Sequence, residues 1–225
     1  MLYDPIYLLY IAPALLLAAV AQLWLRSTYA RAMQKPASHT GAAAARHILD
    51  AAGLHDVKIE QVPGHLTDHY DSRDKVLQLS PEVYQGKTLG AVGMAAHEAG
   101  HAIQDARNYF PLVIRNMAVP AASFGSNTSL FLLLVGLAFG LPKLILASIL
   151  LFSLVVIFQV INLPVEFNAS SRAKAVLADM NIVAESDMQE VRSMLWAAAL
   201  TNLAATLQAM LSLIYYISLM FRRKG

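Results

Sequence analysis

Four long apolar segments, separated by polar stretches, dominate the pattern of the chain. They run from Ile6 to Leu25, from about Met117 to Leu141, from Leu144 to Leu163 and from about Leu195 to Phe221. A helix needs roughly 20 apolar residues to cross the hydrocarbon core of a bilayer, and each segment meets that length. The pattern therefore predicts four transmembrane helices.

Only Pro142 and Lys143 separate the second and third apolar segments, which predicts a tight helical hairpin. The hairpin brings two polar regions, residues 26–116 and 164–194, to one side of the membrane. These regions hold thirteen Lys and Arg residues, against four on the other side. Lys and Arg are enriched in cytoplasmic loops, so this excess predicts that both regions face the cytoplasm. The basic C-terminus at 222–224 opposes that orientation, because four spans would leave it outside.

Composition narrows the class of protein further. Of 225 residues, 57% are hydrophobic and 14% are charged, which excludes a disordered chain and argues against a soluble globular protein. The net charge of +2, without a basic segment interleaved with aromatic residues, argues against nucleic-acid binding. The chain has no cysteine, so disulfides, thiolate metal ligands and a cysteine nucleophile are excluded.

The first polar region is predicted to contain a helix, two strands and a second helix. Ser38 or Thr40 caps the first helix and Gly53 ends it. The alternation of apolar and polar residues after Gly53 is typical of a half-buried strand. The predicted elements cover residues 42–52, 57–62, 76–79 and about 87–108.

The second predicted helix carries the sequence His-Glu-Ala-Gly-His at residues 97–101. Positions i and i+4 of a helix share a face, so His97 and His101 can both reach one metal ion. Glu98 is rotated by about 100° from His97 and would lie beside the metal, where its carboxylate could take a proton from a metal-bound water. With seven His and six Glu in the chain, this spacing is rare by chance. The motif therefore predicts a catalytic metal site.

A catalytic zinc site with three protein ligands still needs one more. Glu166 follows Pro164 at the end of the third apolar segment and begins a stretch that predicts a helix over 166–173. Its carboxylate is either a ligand or an acid placed favourably at a helix start. Spacing leaves these two readings open, together with a ligand from the five other histidines: His39, His47, His55, His65 and His69.

The chain resembles the membrane zinc metallopeptidases of the YugP type, which are distantly similar to the HtpX-type membrane proteases. The resemblance covers nearly the whole chain and is carried by residues 3–5, 64–71, 76–80, 97–104, 163–167 and 197–201. Two positions depart from the pattern. Asn168 stands where the YugP type has Asp, and Ser170 stands where the HtpX type has its final Asp, so no carboxylate role is carried over to either.

The resemblance implies a mainly α fold: four transmembrane helices with a small α+β, zincin-like metallopeptidase region at the membrane face. It implies a Zn²⁺ cofactor held by His97, His101 and Glu166, with Glu98 as the general base. The implied function is a membrane-embedded endopeptidase that hydrolyses peptide bonds of membrane or membrane-proximal proteins with a zinc-activated water. The alternative is a catalytically inactive membrane protein that binds metal or serves as a scaffold.

We accordingly expect five regions along the chain. These are an N-terminal anchor at 1–25, the metallopeptidase region at 26–116, the hairpin at 117–163, the third-ligand region at 164–194 and the last transmembrane helix at 195–225. The expected partners are a polypeptide substrate and the lipid bilayer, without nucleic acid. The expected location is the bacterial plasma membrane, with the active site facing the cytoplasm.

Two further segments carry residues that could take part in peptide hydrolysis. In the cluster Asp68-His69-Tyr70-Asp71, His69 or Tyr70 could stabilise an oxyanion, but a polar turn in which Asp68 caps local amides is favoured, and no catalytic role is assigned. The strand at 76–79 could form a sheet edge to which an extended peptide adds.

Overall fold

The structure, a computed structural model, describes residues 5–222, with the side chains described up to residue 220. Predictions that involve Tyr3, Asp4, Arg223 and Lys224 lie outside this part of the chain. Within it, seven helices and three strands follow one another. They are α1 (Pro5–Gln34), α2 (Gly41–Ala51), β1 (Lys58–Gln61), β2 (His69–Asp71), β3 (Val76–Leu79), α3 (Pro81–Gln85), α4 (Leu89–Ala106), α5 (Phe110–Ala138), α6 (Pro142–Asp179) and α7 (Met188–Arg222). The predicted mainly α fold with a small α+β region is confirmed.

Among the described residues, four helices are long and apolar enough to cross a membrane, namely α1, α5, α6 and α7. This confirms the number of predicted spans. Each helix is longer than its apolar segment, because backbone hydrogen bonding continues into the polar sequence on at least one side. The hydrophobic pattern marks only the part of a helix that suits lipid, not the whole helix.

The turn between α5 and α6 lies at residues 139–141, just before the predicted Pro142-Lys143. Gly140 has a φ of +66°, and the Leu141 amide donates to the Gly136 carbonyl, as in a Schellman helix end. Pro142 is the first residue of α6, a position that tolerates proline because its missing N–H would be unpaired there. The hairpin is therefore confirmed, and its turn is shifted toward the N-terminus.

Pro164 does not separate two helices, which corrects the prediction of a new helix beginning near Glu166. Helix α6 continues through Pro164 to Asp179. A proline inside a helix removes one backbone hydrogen bond and costs about 3 kcal/mol in isolation. Val165 and Ala169 are completely buried directly after it, so tertiary packing stabilises the helical path.

The described chain forms two compact units. The apolar unit comprises the residues up to Val20, Val113–Leu163 and the residues from Thr201 onward. Its core contains Leu133 and Ile145 from the hairpin and Tyr215 from α7. The Tyr7 and Tyr215 rings lie 4.9 Å apart between centroids, so aromatic packing joins the first and last helices within this unit.

The mixed unit comprises Ala21–Leu112 and Pro164–Leu200 and contains the sheet. The strand order is β1-β3-β2, with β1 parallel and β2 antiparallel to β3. Strand β3 is thus the central strand, and the hypothesis that residues 76–79 form a substrate-binding edge is wrong. Its apolar residues explain this position, because Val76, Leu77 and Leu79 are all buried in the core of the unit.

Helices α2 and α4 pack together beside the sheet. The Thr40 hydroxyl accepts from the Ala43 amide and caps α2, and Gly53 beyond its end has a φ of +76°, as the sequence predicted. Thr88 caps α4 by accepting from the Ala91 amide. The small residues of α4 allow close packing, and its centre is therefore buried, with the His-Glu-Ala-Gly-His sequence placed there.

Candidate metal centre

Two imidazoles of α4 lie side by side in the mixed unit. The ring centroids of His97 and His101 are 4.9 Å apart, one helical turn from each other, and both side chains are 12% exposed. This is the i, i+4 arrangement that the motif predicted.

Glu166 of α6 completes the cluster. One carboxylate oxygen of Glu166 lies 3.4 Å from His97 Nε2, and the other lies 3.8 Å from His101 Nε2. One ligand atom from each of the three residues lies within 4.8 Å of the other two. The structure therefore brings together two histidines and one carboxylate that could hold a metal ion.

Hydrogen bonds at the far side of each imidazole determine which nitrogen faces the cluster. His101 Nδ1 lies 2.9 Å from Gln104 Oε1, while Gln104 Nε2 donates to the Val165 carbonyl and to Asn168 Oδ1. Because its amide nitrogen has two acceptors, the Gln104 oxygen faces His101, and His101 Nδ1 donates its proton to it. The Nε2 lone pair of His101 consequently points toward Glu166.

Ser170 contacts the corresponding nitrogen of the other histidine. Its hydroxyl oxygen lies 3.1 Å from His97 Nδ1. Metal-binding histidines commonly hold their second nitrogen in such a hydrogen bond, which fixes both the tautomer and the ring orientation. The two nitrogens and one carboxylate oxygen match the ligand set of a catalytic zinc site with an open fourth position. These residues therefore fit a zinc ion.

Glu98 lies beside this cluster. Its side chain is 7% exposed, and its Oε2 accepts a hydrogen bond of 3.0 Å from the Tyr70 amide of β2. The pKa of Glu98 is raised to about 7, mainly by burial and further by the nearby charges of Glu166 and Asp68, whereas His97 and the Tyr70 amide oppose the rise. A carboxyl group with a pKa near neutrality can both accept and release a proton under physiological conditions.

His97 has a perturbed pKa as well. Burial lowers it, but the hydrogen bond to Glu166 and the charges of Glu98 and Glu166 raise it by more, so the net shift is upward. Without a metal, the negative charge of the carboxylates thus favours a cation at this place. A zinc ion would satisfy the same preference.

The remaining histidines weighed as third ligands make other contacts. His55 pairs with Asp50, His65 with Glu82, and His69 Nδ1 lies 2.8 Å from the Thr67 carbonyl. His39 and His47 stack edge to face, with centroids 5.1 Å apart. The cluster that could hold a metal contains Glu166 instead of any of these five, all of which lie within the described residues.

The polar cluster at 68–71 is not a local turn. Residues 69–71 form β2, and Asp68 accepts from the amide and the hydroxyl of Ser80, twelve residues further along the chain. The Tyr70 hydroxyl donates to Asp105. The interpretation that Asp68 caps nearby amides is therefore wrong.

Sequence reasoning missed three contributors to the site: Gln104, Ser170 and the Tyr70 amide. Gln104 follows His101 by three residues, so helical periodicity alone places it on the same face. Ser170 occupies the position where the HtpX-type pattern has Asp, and a hydroxyl there still reaches His97. No sequence signal identified the Tyr70 amide, because a backbone donor depends on the path of the chain.

Comparisons with known proteins agree with this geometry. A family model described as "Putative neutral zinc metallopeptidase" matches residues 7–221. The chain is 42% identical over 206 residues to "Putative membrane protease YugP" of Bacillus subtilis (strain 168), a match that covers 91% of this chain and 92% of that protein. No solved structure matches the chain.

The relationship to a membrane protease and the four apolar helices together indicate an integral membrane protein. The family match extends over nearly all of the sequence, including the cluster of two histidines and a glutamate. The chain belongs to the zinc metallopeptidase family that this model describes.

Proposed function

We propose that this protein is a zinc-dependent endopeptidase that cleaves membrane or membrane-proximal polypeptides. His97, His101 and Glu166 hold the zinc ion, and Glu98 is the general base. The observation that carries the proposal is the convergence of three ligand atoms within 4.8 Å of one another, beside a buried glutamate. Membership of a zinc metallopeptidase family supports hydrolysis as the type of reaction.

Each residue has a distinct role in the proposed reaction. When bound, zinc supplies Lewis acidity that makes water nucleophilic near neutral pH and polarises the carbonyl under attack. Glu98 accepts the proton of the attacking water and delivers it to the leaving amine. Gln104 and Ser170 contact the Nδ1 atoms of His101 and His97, which leaves both Nε2 atoms facing Glu166, where a zinc ion would be held. The Tyr70 amide holds one oxygen of Glu98, which leaves the other oxygen for the proton.

The position of Glu166 in α6 supports a substrate close to the membrane. Glu166 lies three residues after Leu163, the last residue of the third apolar segment, within one continuous helix. This short separation along the sequence favours a membrane or membrane-proximal substrate.

We further propose that the site faces the cytoplasm in a bacterial plasma membrane. The polar regions between the apolar segments hold thirteen of the seventeen Lys and Arg residues of the chain. Such an excess favours the cytoplasmic side.

The central experiment compares the wild type with Glu98→Gln after purification in detergent. Zinc per chain is measured by atomic absorption, and cleavage is measured with casein and with a detergent-solubilised membrane protein. Glu60→Gln, at an exposed position of β1, is the matched control. We expect one zinc per chain in all three proteins, and cleavage in the wild type and the control only.

Two results would overturn the proposal. If the wild type binds zinc but cleaves neither substrate, the protein is a metal-binding or scaffold protein. If Glu98→Gln cleaves as fast as the wild type, another group is the base.

A further inference from the structure

Tyr70 of β2 contacts α4 at two points. Its backbone amide donates to Glu98 Oε2 over 3.0 Å, and its side-chain hydroxyl donates to Asp105 Oδ2 over 2.8 Å. Glu98 and Asp105 are seven residues apart, which is close to two full turns, so they lie on the same face of α4. A single residue thus joins β2 to this face at two separate places.

The amide of Tyr70 is the hydrogen-bond donor that the structure gives to Glu98 within the described chain. One oxygen of the Glu98 carboxylate is held by this bond. A small displacement of β2 would therefore turn the Glu98 carboxylate, even if every side chain around Glu98 stayed the same.

Besides these two bonds, β2 is held by its pairing with β3, by the packing of Tyr70 against the core and, just before the strand, by the hydrogen bonds between Asp68 and Ser80. The strand has three residues and lies at the edge of the sheet, with β3 as its neighbour. The chain before it includes Leu66 with a φ of +56°, and the chain after it includes Lys75 with a φ of +55°. Such backbone conformations are unfavourable for side-chain-bearing residues and need tertiary contacts to persist.

Lys75 supplies one of those contacts, because its ammonium group pairs with Asp105. Asp105 therefore binds both the hydroxyl of Tyr70 and the residue that ends the turn after β2. Burial raises the pKa of the Tyr70 hydroxyl, and the hydrogen bond to Asp105 raises it further, so the hydroxyl remains a donor.

We propose that Tyr70, Asp105 and Lys75 are positioning residues that fix β2 against α4 and thereby orient Glu98 through the Tyr70 amide. This inference rests on the proposed function, in which Glu98 is the general base. It assigns a role to three residues that are neither proposed metal ligands nor the proposed base. Misplacement of a reacting group by about 1 Å can slow catalysis by up to about a hundredfold.

The test uses the full chain in detergent and compares Tyr70→Phe, Asp105→Asn and Lys75→Met with the wild type. Tyr84→Phe and Lys58→Met are the matched controls. Lys75→Arg tests whether a positive charge at position 75 is enough to keep the activity that Lys75→Met loses. The measurements are kcat and KM for casein, zinc per chain, the melting temperature and the visible spectrum of the cobalt-substituted protein, which reports the metal ligands. Hydrogen exchange at the Tyr70 amide is measured in metal-free protein.

We expect kcat to fall about tenfold in Tyr70→Phe and Asp105→Asn, with KM, zinc content and the cobalt spectrum unchanged. Lys75→Met should lose less, because the Lys75 side chain is 54% exposed and solvent weakens its ion pair, and Lys75→Arg should be close to the wild type. Hydrogen exchange at the backbone amide of residue 70 should be at least about fivefold faster in Tyr70→Phe than in Tyr84→Phe.

An unchanged kcat and an unchanged exchange rate in Tyr70→Phe would overturn the proposal, even if Glu98→Gln is inactive. A fall in kcat that only follows a lower zinc content or melting temperature would also overturn it, because the role would then be structural. Full activity of Glu98→Gln would instead reject the proposed function, and this inference with it.

Discussion

Gly100 of α4 lies directly against the main chain of Ala169 of α6. A Cβ atom at position 100 would lie 2.8 Å from the Ala169 carbonyl oxygen. Gly100 stands between the two histidines, and Ala169 follows Glu166 by three residues. The absence of a side chain at this one position therefore lets α6 approach closely enough for its carboxylate to reach both imidazoles.

We expect Gly100→Ala to separate α4 from α6 and weaken zinc binding about tenfold or more, with a loss of about 1–3 kcal/mol in stability. The measurements are zinc affinity by competition with a chelator and the unfolding midpoint. Gly93→Ala in the same helix is the matched control, because its Cβ would meet side-chain ends of Met194 and Val191 rather than backbone. Equal zinc affinity in Gly100→Ala and the wild type would contradict this interpretation of the close approach.

Gln104→Leu should lower zinc affinity about 10- to 100-fold, the range typical when the partner of a metal-binding histidine is removed. Gln104 is completely buried, and its loss also leaves the Val165 carbonyl without this donor. Ser170→Ala should have a smaller effect, since it removes one hydrogen bond of 3.1 Å. Isothermal titration with zinc distinguishes these variants. The exposed Gln189→Leu is the control and should bind zinc like the wild type.

Glu166→Gln and Glu98→Gln should separate zinc binding from proton transfer. Removal of the ligand charge at position 166 is expected to weaken zinc binding about tenfold or more, whereas Glu98→Gln should keep its zinc. Zinc content after dialysis against a weak chelator measures the difference, with the exposed Glu185→Gln as the reference. If Glu98→Gln lost its zinc and Glu166→Gln kept it, the ligand and the base would have been assigned the wrong way round.

Zinc should stabilise the folded protein. A ligand that binds only the native state at a hundred times its Kd adds about 2.7 kcal/mol, so the unfolding temperature should rise with zinc concentration. The rise should vanish in a His97→Ala, His101→Ala double variant. A chelator should reverse it in the wild type, and an equal rise in the double variant would place the responsible ion elsewhere.

The orientation in the membrane is open to a direct test, because the chain contains no cysteine. Asp56→Cys introduces a single thiol at an exposed position of the mixed unit. We expect a membrane-impermeant maleimide to label it only after the cells are permeabilised. Labelling in intact cells would place the site outside the cytoplasm.

Local signals predicted much of the fold. Thr40 and Gly53 mark the two ends of α2. The Thr40 hydroxyl caps the first turn, and Gly53 adopts the positive φ that follows the last one. Residues 76–79 form a strand with the predicted bounds, and His97 and His101 share a face because helical spacing requires it. Each of these features depends on neighbours within a few residues.

The features that the sequence did not predict depend on contacts between distant segments. Strand β3 is central because β1 and β2 both pair with it, and no property of residues 76–79 shows how many neighbours they have. Pro164 predicted a helix end, but burial of Val165 and Ala169 stabilises the continuous α6. Strand β2 has only three residues, too few for an alternating pattern to be recognised.

The approach of α4 and α6 has a consequence for the connectivity of the chain. The two helices that supply the ligands are joined in sequence by α5, the hairpin turn and the first part of α6. A zinc ion bound by His101 and Glu166 would therefore act as a reversible crosslink, closing a loop that contains the entire transmembrane hairpin. In a chain without cysteine, this crosslink would form and break with the supply of metal rather than by redox chemistry.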